Sequence, residues 1–260
     1  MNTFWIKLLM MPPVIAGVTL ISRKWGNGLG GVIASLPWVG GPILFFIAIE
    51  QGSEFAQIAI PGVLVGIISW LVFCFTYIVV GQKYNIFISV LAGYATYLLT
   101  GALIENLIPL VNVNAWFLIT LFLIILSLKY FPHVKVFNKD KKRNLRFEIL
   151  LRMIFITTFV IGITYFAELL GPTWSGILTP FPIMTAVLAI FVHYTQGITQ
   201  VRTLFIGFYT GIFGFTTFLY LQAHLLPIMS IGNAFLLGLL VNVMVTLLMR
   251  KVFLKIKLAL

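Results

Sequence analysis

The chain has 260 residues, 61% hydrophobic and 9% charged, with a mean hydropathy of +1.10, which excludes a soluble globular domain and places it in a lipid bilayer. Its 17 Lys and Arg against 6 Asp and Glu give a formal charge of +11. In a membrane protein that excess marks basic cytoplasmic loops, so no nucleic acid partner is expected. One cysteine, Cys74, excludes an internal disulfide and a cysteine-based metal cluster, and is expected to pack in its apolar span.

About 30 Å of hydrocarbon crossed at about 1.5 Å per residue requires roughly 20 mostly apolar residues. Nine such spans are predicted, at 4–22, 29–50, 58–80, 86–104, 115–131, 149–169, 175–194, 203–222 and 231–250. The first does not read as a secretory signal peptide, because its basic flank, Arg23-Lys24, follows the apolar run. Taking alternate segments puts 16 of the 17 basic residues on one side. The other side receives Glu50, Glu54, Glu105 and Glu168, with Lys7 as its lone cation. The N-terminus is therefore expected outside and the C-terminus in the cytoplasm.

A shift of 145 residues aligns the two halves without a gap. Gly17, Gly26, Gly31, Gly52, Gly62, Gly66 and Gly93 fall on Gly162, Gly171, Gly176, Gly197, Gly207, Gly211 and Gly238. Random placement predicts about 1 such coincidence. Pro37 falls on Pro182, Gln51 on Gln196 and Phe73 on Phe218, while 104–145 holds no glycine. The expected fold is an all-α polytopic membrane protein in three parts. Residues 1–106 form a first repeat, 107–145 a linker helix and basic cytoplasmic loop, and 146–260 a second repeat. Spans one to four match spans six to nine. Because the displacement is five spans, the repeats are expected to be inverted about an axis in the membrane plane.

Two of these spans carry helix breakers at mid-membrane. Span two contains Ser35-Leu36-Pro37-Trp38-Val39-Gly40-Gly41-Pro42, and span seven Thr179-Pro180-Phe181-Pro182-Ile183-Met184-Thr185. Each proline lacks an N–H and clashes four residues back, so Pro37, Pro42 and Pro182 are expected to free the carbonyls of Ile33, Trp38 and Leu178. Such backbone is tolerated in hydrocarbon where protein buries it or where it lines a cavity. Ser35, Pro37, Trp38, Gly40, Gly41, Pro42, Thr179, Pro180, Pro182 and Thr185 are therefore the candidate substrate-binding residues, with Tyr97 and Asn242 at equivalent repeat positions.

Past the breaks come Glu50-Gln51-Gly52 and His193-Tyr194-Thr195-Gln196-Gly197. Glu50 and His193 are candidates for proton coupling or gating. Gln51 and Gln196 are candidates for the same role, or for capping the helix ends. Gly62-x-x-x-Gly66 and Gly207-x-x-x-Gly211, the latter followed by Gly214, are expected to permit close helix packing. The basic run Lys135–Arg146 is read as a topology determinant that also meets anionic headgroups.

The run Gly31-Val-Ile-Ala-Ser-Leu-Pro-Trp-Val-Gly-Gly-Pro-Ile-Leu-Phe-Phe-Ile-Ala-Ile-Glu-Gln-Gly52 resembles a segment of uncharacterised bacterial integral membrane proteins. Those proteins carry a Gly-Leu-Pro…Gly-Pro…Phe-Leu-Ala-Leu-Glu-x-Gly pattern. The resemblance implies a multi-pass protein of the bacterial cytoplasmic membrane and brings no activity with it. The general organisation is also similar to small inverted-repeat carriers of the drug/metabolite and bile-acid–sodium types.

A secondary transporter is the leading expectation, moving a small neutral, zwitterionic or amphipathic molecule between spans two and seven. The alternatives are a flippase for lipids or lipid-linked molecules, and a non-catalytic membrane scaffold subunit. An enzyme is not expected, since six acids with none paired inside a span do not supply acid–base or metal chemistry. No cofactor is expected. The expected partners are membrane lipids, a small-molecule substrate and further copies of the chain. A cysteine placed at Ser53 should react with an impermeant thiol reagent from outside, and one at Asn138 only from the cytoplasmic side; labelling from the reverse sides would overturn the topology.

Overall fold

The computed structural model describes residues 4–34, 36–134 and 148–255; Ser35 and the basic run 135–147 lie outside the described residues. Among the described residues the structure is all-helical. The first half holds α1 (Phe4–Ala34), α2 (Gly40–Glu50), α3 (Ser53–Gly81) and α4 (Ile86–Ile104), the last continued by a 3-10 turn, Glu105–Leu110. After α5 (Val113–Lys129) come α6 (Glu148–Tyr165), α7 (Ala167–Leu178), α8 (Ile183–Gln196), α9 (Ile198–Leu225) and α10 (Ile231–Lys255).

Four stretches are each long and apolar enough to cross a bilayer: α3, α4 with its 3-10 turn, α9 and α10. The bent pair α6–α7 makes a fifth if taken as one span. This is the composition of a multi-pass membrane protein. The segment Phe4–Gly17 and helices α2, α5 and α8 are shorter apolar pieces.

The boundaries have local causes. Asn85 and Asn112 cap α4 and α5, their side-chain oxygens accepting the N–H of Ile88 at 2.9 Å and of Ala115 at 2.8 Å. Gly52, at φ 97°, turns α2 into α3, and Gly197, at φ 86°, turns α8 into α9; both conformations favour glycine.

Two expectations are corrected. The loop predicted between spans one and two does not form, because α1 stays helical through Arg23 and Lys24 to Ala34. Charge and glycine weaken a helix but remove no backbone N–H, so neither requires it to end there. Span six does not run straight, since α6 and α7 meet at 118°. The chain leaves helical geometry at Phe166 and again at Gly171, with φ 68°.

Helices α3 and α9 are central. Of their most apolar stretches 72% and 83% are buried, against 22% and 28% for the α4 and α10 stretches. α3 packs on α7, α9 on α1, and α5 on both α3 and α9. The α3–α4 and α9–α10 pairs meet in one register: Gly93 lies on the ring of Phe73, and Gly238 on that of Phe218.

The α3–α7 contact is backbone to backbone. A Cβ at Gly62 would stand 2.5 Å from the Thr173 carbonyl oxygen and one at Gly66 2.5 Å from that of Ile177, while one at Gly176 would collide with the Ala59 carbonyl. Such small residues let membrane helices associate through van der Waals packing. Gly62→Ala and Gly176→Ala should therefore lower the melting temperature in detergent. Gly162→Ala, in open space within α6, should raise stability by up to about 1 kcal/mol through helix propensity. Equal effects at the three positions would refute the close packing.

Candidate functional site

The breaks between α1 and α2 and between α7 and α8 approach one another in the middle of the molecule. Leu36, Pro37, Val39 and Gly40 from the first, and Thr179, Pro180, Phe181, Met184 and Thr185 from the second, line one cavity of about 70 Å³. Trp70 of α3 and Phe208, Ile212 and Phe215 of α9 complete its wall.

Two of the three carbonyls expected to stand free at the breaks, those of Ile33 and Leu178, are engaged. Ile33 O accepts the N–H of Leu36 at 3.2 Å and the indole N–H of Trp38 at 2.7 Å. Leu178 O accepts the N–H of Phe181 at 3.0 Å. One residue earlier, Ile177 O accepts the buried Tyr97 hydroxyl at 2.5 Å. The physical reason is that chain reversal brings new donors to the sites the prolines vacate, and in a dry interior those donors are taken up.

Side-chain hydroxyls in the cavity wall are also occupied. Trp70 donates its indole N–H to Thr185 Oγ1 at 3.0 Å, and Thr179 donates to Ser175 O at 2.7 Å. Phe181 is held by rings, stacked on Tyr94 at 4.9 Å and on Phe159 at 5.4 Å. The walls are thus rigid, mainly aromatic and apolar, with their polar atoms turned to internal partners.

Of the expected binding residues, Pro37, Gly40, Thr179, Pro180 and Thr185 share this cavity. Trp38, Gly41 and Pro42, with Pro37, face a second cavity of about 500 Å³ between α1, α2 and α10. Pro182 precedes α8 and lines neither. The larger space is bounded by Met10, Met11, Phe45, Phe235, Leu239 and Asn242, among others. At Leu36 and Val243 it adjoins a third cavity of about 400 Å³, which reaches Thr246 and Arg250.

Glu50 and His193 are not brought together. Glu50 accepts both 2.7 and 2.8 Å hydrogen bonds from Lys7, whose third donor reaches Thr164 Oγ1 at 2.6 Å. Lys7 is 3% exposed, its ammonium 5.2 Å from the centre of the Phe46 ring. One ion pair thereby ties α1, α2 and α6 together, and places the lone cation of the acidic side beside its acid. His193 Nδ1 instead lies 3.2 Å from the Tyr77 hydroxyl. The ends of α2 and α8 are closed by backbone groups, Gln51 N–H on Ile47 O at 2.8 Å and Gly197 N–H on His193 O at 3.1 Å.

Trp70 and Phe215 line the cavity, and Lys7 holds Glu50, without having been read as site residues in the sequence. Trp70 and Phe215 stand 145 residues apart, so the repeat register itself was the available signal. Among the described residues no group of three His, Cys, Asp or Glu is placed to hold a metal ion. No family model matches the chain, and no curated protein or solved structure matches it either.

The ion pair yields a test. Removing one partner of a buried pair leaves the other charge uncompensated, at a cost of about 3–5 kcal/mol. Glu50→Gln or Lys7→Met alone should therefore sharply lower the melting temperature, and the double variant should recover most of the loss. A double variant as unstable as the sum of the singles would mean the two side chains act independently.

Proposed function

We propose that the chain is a secondary carrier for a small neutral, zwitterionic or amphipathic molecule, which passes the cavity between the two breaks by alternating access. The observation that carries this reading is that Leu36, Pro37 and Val39 and, remote in sequence, Thr179, Pro180 and Phe181 line one cavity between the two central helices. Discontinuous helices meeting at the middle of a bundle are the structural element from which such carriers build their sites.

The repeat belongs to the same proposal. Shifted by 145 residues, α2, α3 and α4 fall on α8, α9 and α10, and α1 falls on α6 with α7. Gly52 and Gly197 share a positive φ at matching turns. Contacts are exchanged in matching pairs, since α4 meets α8 where α10 meets α2, and α3 meets α7 where α9 meets α1. The reading takes the linker helix to invert the second repeat, with the N-terminus outside and the C-terminus in the cytoplasm.

Alternating access also requires matching helices in unequal positions, and the halves differ in this way. The end of α7 is docked on α4 through the Tyr97 hydroxyl. Its counterpart, the end of α1 at Val32 and Ile33, is separated from α10 by the cavity of about 400 Å³. In this conformation the cavity between the breaks is small, about 70 Å³, and the space beside it is larger, about 400 Å³. The Lys7–Glu50–Thr164 cluster is placed to hold one such arrangement, which gives Glu50 a gating role.

A lipid flippase is the second reading, favoured by the openness of the larger cavity along α10, where Leu236 and Val243 are exposed. The first experiment is an untargeted comparison of solutes in deletion and overexpression cells, followed by uptake of the identified solute into proteoliposomes. The Pro37→Ala/Pro182→Ala variant should lose about tenfold or more in rate, equivalent to about 1.4 kcal/mol, while keeping its melting profile. Unchanged uptake by a well-folded double variant would remove the breaks from the mechanism.

A further inference from the structure

Helix α10 carries three polar side chains on one face, Asn242, Thr246 and Arg250, each four residues from the next. At about 1.5 Å per residue they form a row about 12 Å long. Asn242 is fully buried and Thr246 is 3% exposed. Neither amide atom of Asn242 has a hydrogen-bond partner, nor do Thr246 Oγ1 and the buried Arg250 Nε. The Asn242 amide and Thr246 Oγ1 are packed against Gly214 of α9, so Arg250 is the member of this row that a ligand meets from the cavity beside it.

The surroundings specify that ligand. Arg250 and Thr246 line the cavity of about 400 Å³, which joins the apolar one of about 500 Å³ at Leu36 and Val243. Leu236, Val243 and Leu247 are 62%, 44% and 51% exposed along this edge, so the groove opens sideways into hydrocarbon. Arg250 stands near the end of α10, followed by the exposed Lys251. The groove is therefore cationic and hydrogen-bond donating at one end and apolar along its length. A guanidinium engages phosphate in a planar, multiply bonded geometry.

We propose that this lateral groove binds one anionic phospholipid, its phosphate at Arg250 and an acyl chain along the first break towards Phe45 and Phe235. The site rests on the groove alone and stands whether or not the cavity between the breaks carries a solute.

The test is lipid retention by the full chain purified in detergent after exposure to mixed phosphatidylglycerol and phosphatidylcholine micelles, with bound phosphorus counted per chain. Wild type should hold about one phosphatidylglycerol in preference to phosphatidylcholine. Arg250→Gln should weaken that retention by about tenfold or more, since a hydrogen bond to a charged group contributes about 1.5–3 kcal/mol. Val243→Trp should fill the groove and displace the lipid whatever its charge, and Lys251→Gln should retain it. Melting curves identify any variant that fails to fold. Equal retention of the two lipids, equal loss in Lys251→Gln, retention unchanged in folded Arg250→Gln and Val243→Trp, or displacement by excess inorganic phosphate would each overturn the proposal. Lipid retention with no solute transport would refute the carrier and leave this site intact.

Discussion

In a hydrocarbon environment every backbone N–H and C=O must find its partner inside the protein, and an unpaired one costs several kcal/mol. The two breaks in the middle of this molecule exist under that constraint. Pro37 and Pro182 remove helical hydrogen bonds, and the replacements come from close at hand: the Trp38 indole for Ile33 and the Phe181 N–H for Leu178, with Tyr97 on Ile177. The breaks are consequently fixed turns whose shape depends on aromatic side chains. The carbonyls of Ile33 and Leu178 are turned to internal donors, so on the proposed carrier reading recognition at the cavity between the breaks falls to ring faces and apolar walls. That chemistry favours weakly polar or amphipathic molecules over strongly hydrated ions.

Much of the helix pattern was legible because proline, glycine and asparagine act locally. Predicted span four coincides with α4, and α5, α9 and α10 begin or end within five residues of expectation. The positions of both breaks follow from their prolines. What escaped was set by tertiary contact. Nothing in the sequence at Phe166 demands a bend of 118°, since Pro172 comes six residues later and Gly171 permits a turn without imposing one. Continuity of α1 past Arg23 and Lys24 was equally hidden, because charge predicts a water-exposed level and not a helix end.

The ion pair shows the same limit from the other direction. Lys7 and Glu50 are 43 residues apart on different helices, a separation with no periodic trace. The only sequence clue was a single lysine on an otherwise acidic side, which charge counting treats as an exception. Its burial beside Glu50 gives that charge a partner within the protein.

The two halves share contacts while differing at the ends of their helices, and that difference bears on how space opens in the molecule. Ser69 lies by Gly101 between α3 and α4, and Gly214 lies against Thr246 between α9 and α10. The small residue has changed helices and the packing register has been kept. Beyond this shared framework, Tyr97 reaches the Ile177 carbonyl, whereas Asn242, at the matching position, reaches nothing. Docking the end of α1 on α10 as α7 is docked on α4 would direct Asn242 towards Val32, the counterpart of Ile177, and close the cavities along α10. On the proposed cycle, a ligand in the groove and the end of α1 compete for the same polar face, so occupancy of the groove would itself decide which half is closed.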